Sequence, residues 1–447
     1  MQFYQRELNR LKAVKAFIRR RFPAFGVNKR QEITRLIYEV AKRENILAAD
    51  ILSGVDFSDF EAVKEGLLKR RFPYSSSTQK SITPYLPKIE LNTLEAADTS
   101  CKGFYPKEFF VEKVAAGSYL EARFKKIFPN AVFKEIESLK AYRSLHRGID
   151  IREYNRRRDK VFIVKENYDF FKVCPCTKGA VGCGYYVFNL GFGCPFECTY
   201  CYLQAYTNSP GIILPANIDK FFDQFASSSG KIRIGTGEFS DSLALDGFTD
   251  YSLALLDFFK RHRKTTFEFK TKSIEINNLL KKSAPGNIVI SWSLNPQIII
   301  DENEFLASSL KERLNAASKI VRAGYKVGFH FDPVIYFNGW QEEYRNLIEN
   351  LFCAVKPEDI AWISIGTLRF RPDVKRIIER RFAANKILDE ELSLGYDSKL
   401  RYPYSMRYGV YKEMIHLLGS HSCGQKLYLC MEETRMWSDL GLKMPKL

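Results

Sequence analysis

From residue 184 onward, short apolar strands alternate with amphipathic helices, and this alternation restricts the fold more than any other feature of the chain. The predicted strands are 185–189, 231–235, 266–271, 288–294, 326–331 and 361–365. Helices with apolar residues every three or four positions lie between them, at 218–225, 250–262, 309–323 and 340–355. Strands joined by crossover helices form a parallel sheet. Six such units predict an α/β fold with a partial (β/α)6 TIM-like barrel.

The part of the chain before the barrel is organised differently. Residues 1–72 show helical periodicity, and residues 73–81 are polar and serine-rich. A helix is predicted near 109–128 and a strand at 160–165. The predicted domains are a helical, basic N-terminal region with a linker at 1–100, a small α/β segment at 101–183, and the partial barrel with a C-terminal extension at 184–447.

The formal charge of +17 attracts polyanions, of which nucleic acid comes first and an anionic membrane second. Part of the excess is local, because residues 1–30 hold nine Lys or Arg and one acidic residue, Glu7. Ten cysteines without a signal peptide or a long apolar run disfavour a secreted disulfide framework. We expect a cytoplasmic protein with no membrane partner; the oligomeric state stays open.

Three cysteines follow the first strand of the predicted barrel, in the spacing C-x3-C-x2-C: Cys194, Cys198 and Cys201. A cubane iron–sulfur cluster usually takes four cysteines, so three leave one iron with an open coordination site. Zinc with a fourth ligand elsewhere, or thiols without a role, are the alternatives, although zinc sites more often pair C-x2-C knuckles. Active sites of parallel α/β folds gather at the carboxyl ends of strands, where this loop is expected.

The cysteine spacing, followed by the aromatic Tyr202, is similar to the signature of the radical S-adenosylmethionine (radical SAM) enzymes. The resemblance implies a 4Fe–4S cluster on Cys194, Cys198 and Cys201 and S-adenosylmethionine on the open iron. It further implies a 5′-deoxyadenosyl radical, made when one electron from the cluster splits the sulfonium. An electron donor such as flavodoxin or ferredoxin is then expected as a partner.

A glycine turn after the second predicted strand contains Gly235, Gly237 and Glu238. Glycines let a backbone approach a ligand closely, and a carboxylate accepts a charge-assisted hydrogen bond from an ammonium. In radical SAM enzymes a Gly-Gly-Glu-like turn at this point holds the amino group of the cofactor. The resemblance therefore assigns Gly235, Gly237 and Glu238 to cofactor binding.

Polar residues also follow the third and fourth predicted strands. Lys272 can pair with the cofactor carboxylate, or it is a solvated lysine. Ser293 and Asn295 can hydrogen-bond the ribose or the methionine, or they cap the next element.

Several blocks resemble the spore photoproduct lyase family over roughly residues 105–440. The matching blocks are 194–204, 269–272, 293–295, 323–326, 332–336, 339–340 and 369–370. Membership implies a DNA substrate, an abnormal thymine dimer that is split back to two thymines after hydrogen abstraction. It places Tyr200 and Tyr202 where the lyases have tyrosines proposed to relay hydrogen, and Arg401 and Tyr402 at a substrate-contacting element.

The chain departs from the lyase pattern at one position. The lyases carry a hydrogen-donating cysteine just after the second strand, and Glu238 aligns with it. Either another donor serves (Tyr200, Tyr202 or a remote cysteine), or the reaction differs. The alternatives are a radical SAM enzyme that modifies RNA, a peptide or a small molecule, and a nucleic-acid-binding protein with a structural cluster.

A second group of cysteines precedes the motif: Cys174, Cys176 and Cys183. With Cys423 or Cys430 this group can ligate an auxiliary cluster or zinc. Structural thiols, or a redox pair at Cys174 and Cys176, are the alternatives.

Overall fold

The structure, a computed structural model, describes residues 2–78, 84–100, 103–146, 148, 150–167, 171–205, 211–226 and 232–445. The chain divides into two compact units. The first consists of Met1–Asp98, Thr199–Ala205 and Leu368–Gly409, and the second of Thr99–Cys198, Tyr206–Thr367 and Val410–Leu447. The domain bounds at 100 and 183 stay a prediction.

The helices of the described residues are α1 (Gln2–Arg21), α2 (Val27–Glu44), α3 (Ala48–Ile51), α4 (Phe60–Arg71), α5 (Pro73–Thr78), α6 (Tyr119–Ile127), α7 (Leu139–Leu145), α8 (Ile151–Asn155), α9 (Asp219–Ala226), α10 (Asp246–Thr249), α11 (Tyr251–Phe259), α12 (Asn277–Leu280), α13 (Gln297–Asn303), α14 (Leu310–Arg322), α15 (Trp340–Ala354), α16 (Pro372–Arg381), α17 (Tyr404–Gly419) and α18 (Thr434–Asp439). None of these described helices combines the length and the hydropathy that crossing a bilayer requires.

The strands of the described residues are β1 (Glu108–Glu112), β2 (Val132–Ile136), β3 (Lys160–Val164), β4 (Phe171–Val173), β5 (Tyr185–Phe188), β6 (Glu197–Cys198), β7 (Ile212–Pro215), β8 (Arg233–Gly235), β9 (Thr266–Thr271), β10 (Ile288–Ser293), β11 (Glu304–Phe305), β12 (Lys326–Val334), β13 (Ile360–Thr367), β14 (Arg369–Phe370), β15 (Ser393–Leu394), β16 (Leu400–Arg401) and β17 (Leu427–Leu429).

The first unit joins the N-terminal helices to a distant stretch of the chain through buried charges. The apolar faces of α1, α2 and α4 pack into one core that includes Ile18, Leu36 and Leu67. Beside that core, Glu39 of α2 accepts hydrogen bonds from Arg71 at 2.7 Å and from Lys375 of α16 at 2.8 Å. Buried charges persist in proteins only when they are paired. This pairing places α16 in the same unit as the N-terminal helices.

The second unit is built on an eight-stranded sheet in the order β17-β13-β12-β10-β9-β8-β5-β4. Its middle six strands are the six predicted ones, and they run parallel. Strand β17 continues the parallel sheet beside β13, and β4 closes the other edge antiparallel to β5. This curled, open sheet confirms the predicted α/β partial barrel and the additional helical N-terminal region.

A smaller parallel sheet, in the order β2-β1-β3-β7, corrects part of the prediction. The predicted helix at 109–128 is wrong in its first half, where β1 lies between β2 and β3. The helix α6 begins later because the hydroxyl of Ser118 caps it, accepting from the Glu121 amide. Of the predicted polar stretch at 73–81, the described part forms α5. Lys231, the predicted start of the second barrel strand, lies outside the described residues.

Charged and aromatic side chains meet inside the large sheet, and we call this set the interior cluster: Arg233, Glu268, His330, Trp362 and Tyr428. Glu268 is fully buried and accepts from His330 at 2.8 Å, from the Trp362 indole at 3.0 Å and from Arg233 at 3.3 Å. Arg233 also donates to the Tyr428 hydroxyl at 2.9 Å and stacks 3.8 Å from the Trp362 ring centre. Burial lowers the pKa of His330 to about 4, so this ring is neutral at pH 7 and donates through Nε2.

Candidate active site

The first two cysteines of the motif lie on a short loop, residues 193–198, that follows β5. The buried guanidinium of Arg157 fixes this loop by three hydrogen bonds. It donates to the Glu197 carboxylate at 2.8 Å, and to the backbone carbonyls of Phe196 at 2.7 Å and Cys194 at 3.3 Å. Burial alone would lower the pKa of Arg157, but Glu197 and other neighbours raise it well above its usual value. Arg157 therefore keeps a full positive charge beneath the loop.

The second cysteine of the motif, Cys198, lies close to another positively charged side chain, that of Lys272. The cysteine lies on β6, which pairs antiparallel with β11 so that Cys198 faces Glu304. Glu304 forms a fully buried ion pair with Arg313 at 2.6 Å. Burial alone would lower the pKa of Lys272, but the charges of Glu304 and Cys198 outweigh it and raise that pKa above its ordinary value. The predicted cofactor lysine thus stays charged beside the second cysteine.

The glycine turn after β8 has the close packing that its sequence predicts. A Cβ atom on Gly235 would lie 2.0 Å from the Tyr185 hydroxyl and 2.5 Å from the Glu268 carbonyl, so only glycine fits. A Cβ atom on Gly237 would lie 3.1 Å from the side chain of Lys270. At the end of the turn, one carboxylate oxygen of Glu238 lies 3.0 Å from the ammonium of Lys172. Glu238 is therefore already a cation-binding group.

Sequence reasoning missed Asp241, which fixes the turn against the end of β9. Its carboxylate accepts from the Thr271 hydroxyl at 2.6 Å and from the Lys272 amide at 2.7 Å. It also accepts from the amides of Leu243 and Ala244. An aspartate that bonds amides two and three residues ahead is a common turn former, and this was the signal available in the sequence. Asp241 places Glu238 and Lys272 on adjoining loops.

Ser293 and Asn295 lie at the end of β10, and both are buried. The Ser293 carbonyl accepts from Arg313 at 2.9 Å. The Asn295 amide donates to Glu304 at 2.9 Å, and its oxygen accepts from the Tyr344 hydroxyl at 2.8 Å. These bonds favour the supporting role for Asn295, which holds Glu304 beside Cys198. Direct cofactor contacts by Ser293 and Asn295 stay a prediction.

The third cysteine belongs to the segment Thr199–Ala205 of the first unit. Cys201 and Tyr200 are half-buried, and Tyr202 is exposed. Gln204 anchors this segment, since it donates to the Thr199 carbonyl at 2.7 Å and accepts from buried Arg381 at 2.8 Å.

Arg401 and Tyr402, the predicted substrate residues, are buried in the first unit. Arg401 donates through two nitrogens to the carboxylate of Asp397, at 2.9 and 2.6 Å. The carbonyl of Tyr402 accepts from Arg407 at 2.9 Å. The described contacts give both residues a structural role, and a contact with substrate stays a prediction.

The radical SAM class is defined by an open parallel barrel in which a cysteine loop follows the first strand and a glycine turn follows the second. The spore photoproduct lyase family profile matches residues 104–420, so the chain belongs to the spore photoproduct lyase family. This membership confirms the enzyme class and the two expected cofactors, a 4Fe–4S cluster and S-adenosylmethionine. The residues fit a cluster, because Cys194 and Cys198 each lie beside a cation, and positive charge favours thiolates.

Individual relatives agree with the family match. Spore photoproduct lyase of Bacillus subtilis (strain 168) is 30% identical over 252 residues, which cover 54% of this chain and 71% of that protein. Spore photoproduct lyase of a Geobacillus species is 30% identical over 236 residues, covering 51% and 67%. A solved structure of spore photoproduct lyase complexed with dinucleoside spore photoproduct matches with a TM-score of 0.63 and 25% identity, covering 74% of this chain and 99% of that one.

Proposed function

We propose that this chain splits a thymine-dimer-type lesion in DNA by radical chemistry. The observation that carries the proposal is that the cysteine loop, Lys272 and the glycine turn lie together at the carboxyl ends of neighbouring parallel strands. Cys198 lies close to Lys272, and Asp241 links Lys272 to the turn that ends in Glu238. A related lyase has been solved with a dinucleoside spore photoproduct bound, which points to the same class of lesion for this chain.

The residues of the site have two proposed roles, which are cofactor binding and hydrogen-atom transfer. When bound, the cluster and S-adenosylmethionine supply a 5′-deoxyadenosyl radical. Cys194, Cys198 and Cys201 are the proposed cluster ligands. The Glu238 carboxylate accepts from the ammonium of the cofactor, and the Lys272 ammonium pairs with its carboxylate, so the two charges fix its orientation.

Glu238 is unsuited to replace the donor cysteine of the lyases. A carboxylic O–H bond is much stronger than a thiol S–H bond, so it does not give a hydrogen atom to a carbon radical. The ion pair with Lys172, at 3.0 Å, likewise uses the carboxylate form, which carries no hydrogen. We assign the hydrogen relay to Tyr200 and Tyr202, on either side of the third cysteine. Flavodoxin or ferredoxin is the proposed electron source, in a cytoplasmic setting.

The activity is tested by anaerobic reconstitution with iron and sulfide, followed by dithionite reduction with S-adenosylmethionine. Chromatography then measures 5′-deoxyadenosine and thymine, with and without ultraviolet-damaged DNA. We expect damaged DNA to stimulate turnover and thymine to be restored. Cofactor cleavage that is indifferent to damaged DNA contradicts the substrate assignment and favours RNA, a peptide or a small molecule. No cleavage from an intact cluster contradicts the radical mechanism.

Replacing Glu238 with glutamine should weaken the binding of S-adenosylmethionine and leave the cluster intact. The neutral amide loses a charge-assisted hydrogen bond, which is worth about 1.5–3 kcal/mol, or roughly a 10- to 100-fold rise in the dissociation constant. Equilibrium dialysis with labelled cofactor measures the affinity, and the cluster absorbance provides the internal check. The matched control is Glu137→Gln, at an exposed glutamate that pairs with Lys113. Unchanged affinity in Glu238→Gln removes this residue from the site.

The first helix presents a basic face suited to the DNA backbone. Its exposed basic residues are Arg6, Lys12, Lys15, Arg19, Arg20 and Arg21. The acidic residue of the helix, Glu7, is buried and paired with Arg10. Burial and the nearby charges of Lys88 and Arg19 lower the pKa of Lys15, as expected where positive charges are crowded. Such a field attracts phosphates.

Neutralising Arg19, Arg20 and Arg21 to glutamine should weaken DNA binding and reduce its salt dependence. The slope of log affinity against log salt should become shallower by about 0.9 for each lost phosphate contact. Fluorescence anisotropy of labelled duplex DNA at several salt concentrations measures it. The control removes three charges elsewhere, from the exposed residues Arg261, Arg263 and Lys264. Equal slopes in both variants contradict a role for α1 in binding.

A further inference from the structure

Four cysteines outside the radical site gather around the two edges of the large sheet, and we call them the thiol group: Cys174, Cys176, Cys183 and Cys430. The first three lie in the connection between β4 and β5. The Cys174 amide donates to the Tyr185 carbonyl at 2.9 Å, which continues the pairing of β4 with β5. The group therefore surrounds the start of β5, whereas the cysteine loop follows its end.

The fourth cysteine comes from the opposite edge of the same sheet. Cys430 directly follows β17, and its amide donates to the Ile365 carbonyl at 2.8 Å. Just beyond it, the Glu432 carbonyl accepts from the Val181 amide at 2.8 Å, and Glu433 bridges to Ala180. The curl of the sheet thus brings the segment after β17 against the hairpin that carries the other three thiols. All four side chains are partly buried.

The spacing of two sulfurs in the thiol group matches a single tetrahedral ion. The Sγ atoms of Cys174 and Cys176 lie 3.9 Å apart. A zinc ion with Zn–S bonds of about 2.3 Å in a tetrahedron separates its sulfurs by about 3.8 Å. A cubane cluster places each cysteine on a different iron, and so spreads them further. The C-x-C pair therefore suits one ion.

The thiols of the group lie close enough to interact. Cys176 donates a hydrogen bond to the sulfur of Cys174, and Cys430 and Cys183 are among the electrostatic neighbours of Cys174. A divalent ion that binds grouped thiols displaces their protons. Cys423 is fully buried, unlike the four members of the group.

We propose that Cys174, Cys176, Cys183 and Cys430 bind one structural zinc ion that ties the two edges of the open sheet together. Four thiolates complete a tetrahedral shell and leave no open position, as in structural zinc sites. Among the described residues, no three acidic, histidine or cysteine side chains are arranged as a metal site. Zinc binding at the thiol group therefore requires rotation of cysteine side chains about their single torsion, between staggered positions.

The test measures zinc and iron by mass spectrometry in the anaerobically purified protein and in two variants. The first variant replaces Cys194, Cys198 and Cys201 with alanine. It should lose its iron and keep about one zinc per chain, the stoichiometry of a single site with four thiolate ligands. The second, Cys430→Ser, should lose most of its zinc and keep its iron. The matched control Cys353→Ser, at an exposed cysteine of α15, should keep both metals.

Three results overturn the proposal: zinc that is absent from the wild-type protein, zinc that is unchanged in Cys430→Ser, and iron that is lost in Cys430→Ser. The last result would make the thiol group an iron–sulfur site. If Cys430→Ser does not fold, titration of the folded alanine variant with an organomercurial replaces it. That titration should release one equivalent of zinc to a chromophoric chelator, and no release contradicts the site. Loss of the radical activity affects neither readout.

Discussion

Replacing Cys198 with alanine is expected to abolish the cluster and the cleavage of S-adenosylmethionine together. Cys198 is a proposed ligand that lies close to Lys272 and pairs through its backbone with Glu304, whose fully buried carboxylate is paired with Arg313. Loss of a residue that merely supports a ligand costs about 10–100-fold in metal affinity or activity, so loss of the ligand itself should exceed that range. Iron content, cluster absorbance and 5′-deoxyadenosine formation should all fall to background.

The control for this substitution is Cys353→Ala, because Cys353 is exposed on α15. It should retain full iron content and activity. An intact 4Fe–4S spectrum in Cys198→Ala refutes the ligand assignment. Circular dichroism of both variants shows whether the fold survives, so that loss of iron is not confused with unfolding.

Replacing Arg157 with methionine is expected to lower the free energy of unfolding of the second unit by about 3–5 kcal/mol. The substitution leaves the Glu197 carboxylate buried without its 2.8 Å partner and frees the carbonyls of Cys194 and Phe196. Urea unfolding followed by tryptophan fluorescence measures the loss. All four tryptophans lie in the second unit, so the signal reports that unit: Trp292, Trp340, Trp362 and Trp437.

Two further variants separate the buried pair from general effects of charge. Arg152→Met breaks an exposed pair with Asp150 and should change stability by less than about 1 kcal/mol. The double variant Arg157→Met, Glu197→Gln removes the orphaned charge and should recover part of the loss. Equal effects of Arg157→Met and Arg152→Met would contradict the structural role of Arg157.

The barrel was predictable because its signal is local and repeated. Each strand of the parallel sheet is a short apolar run, and each crossover helix has its own period, so β9 was predicted with its observed bounds. The error near β1 has a simple cause. The segment 109–128 begins with a short apolar run, 109–111, and such a run does not by itself distinguish a strand from a helix. The Ser118 cap then decides where the helix begins.

The site was predictable where one residue type has one chemical use, and less so where a side chain acts through others. The cysteine spacing and the glycine turn mark their loops in the sequence itself. The roles of Arg157 and Arg313 depend on residues 20 or more positions away, and nothing in the local sequence marks them. Asp241 has a local signal as a turn former, but its bond to the Lys272 amide, 31 positions away, has none. Arg401 is an example of a local pattern that has more than one explanation. It belongs to a basic and aromatic run that is typical of nucleic-acid contacts, yet its side chain forms a buried ion pair with Asp397.

The interior cluster has a consequence for how this chain can diverge from its relatives. One carboxylate, Glu268, takes hydrogen bonds from Arg233, His330 and Trp362, and Arg233 also serves Tyr428. A substitution at any one of these positions leaves a buried polar group of the cluster without its hydrogen-bond partner. Single substitutions are therefore destabilising and disfavoured. In an alignment of homologues the five positions should change as a block, and chimaeras that mix two versions of the block should fold poorly even where every helix and strand is retained.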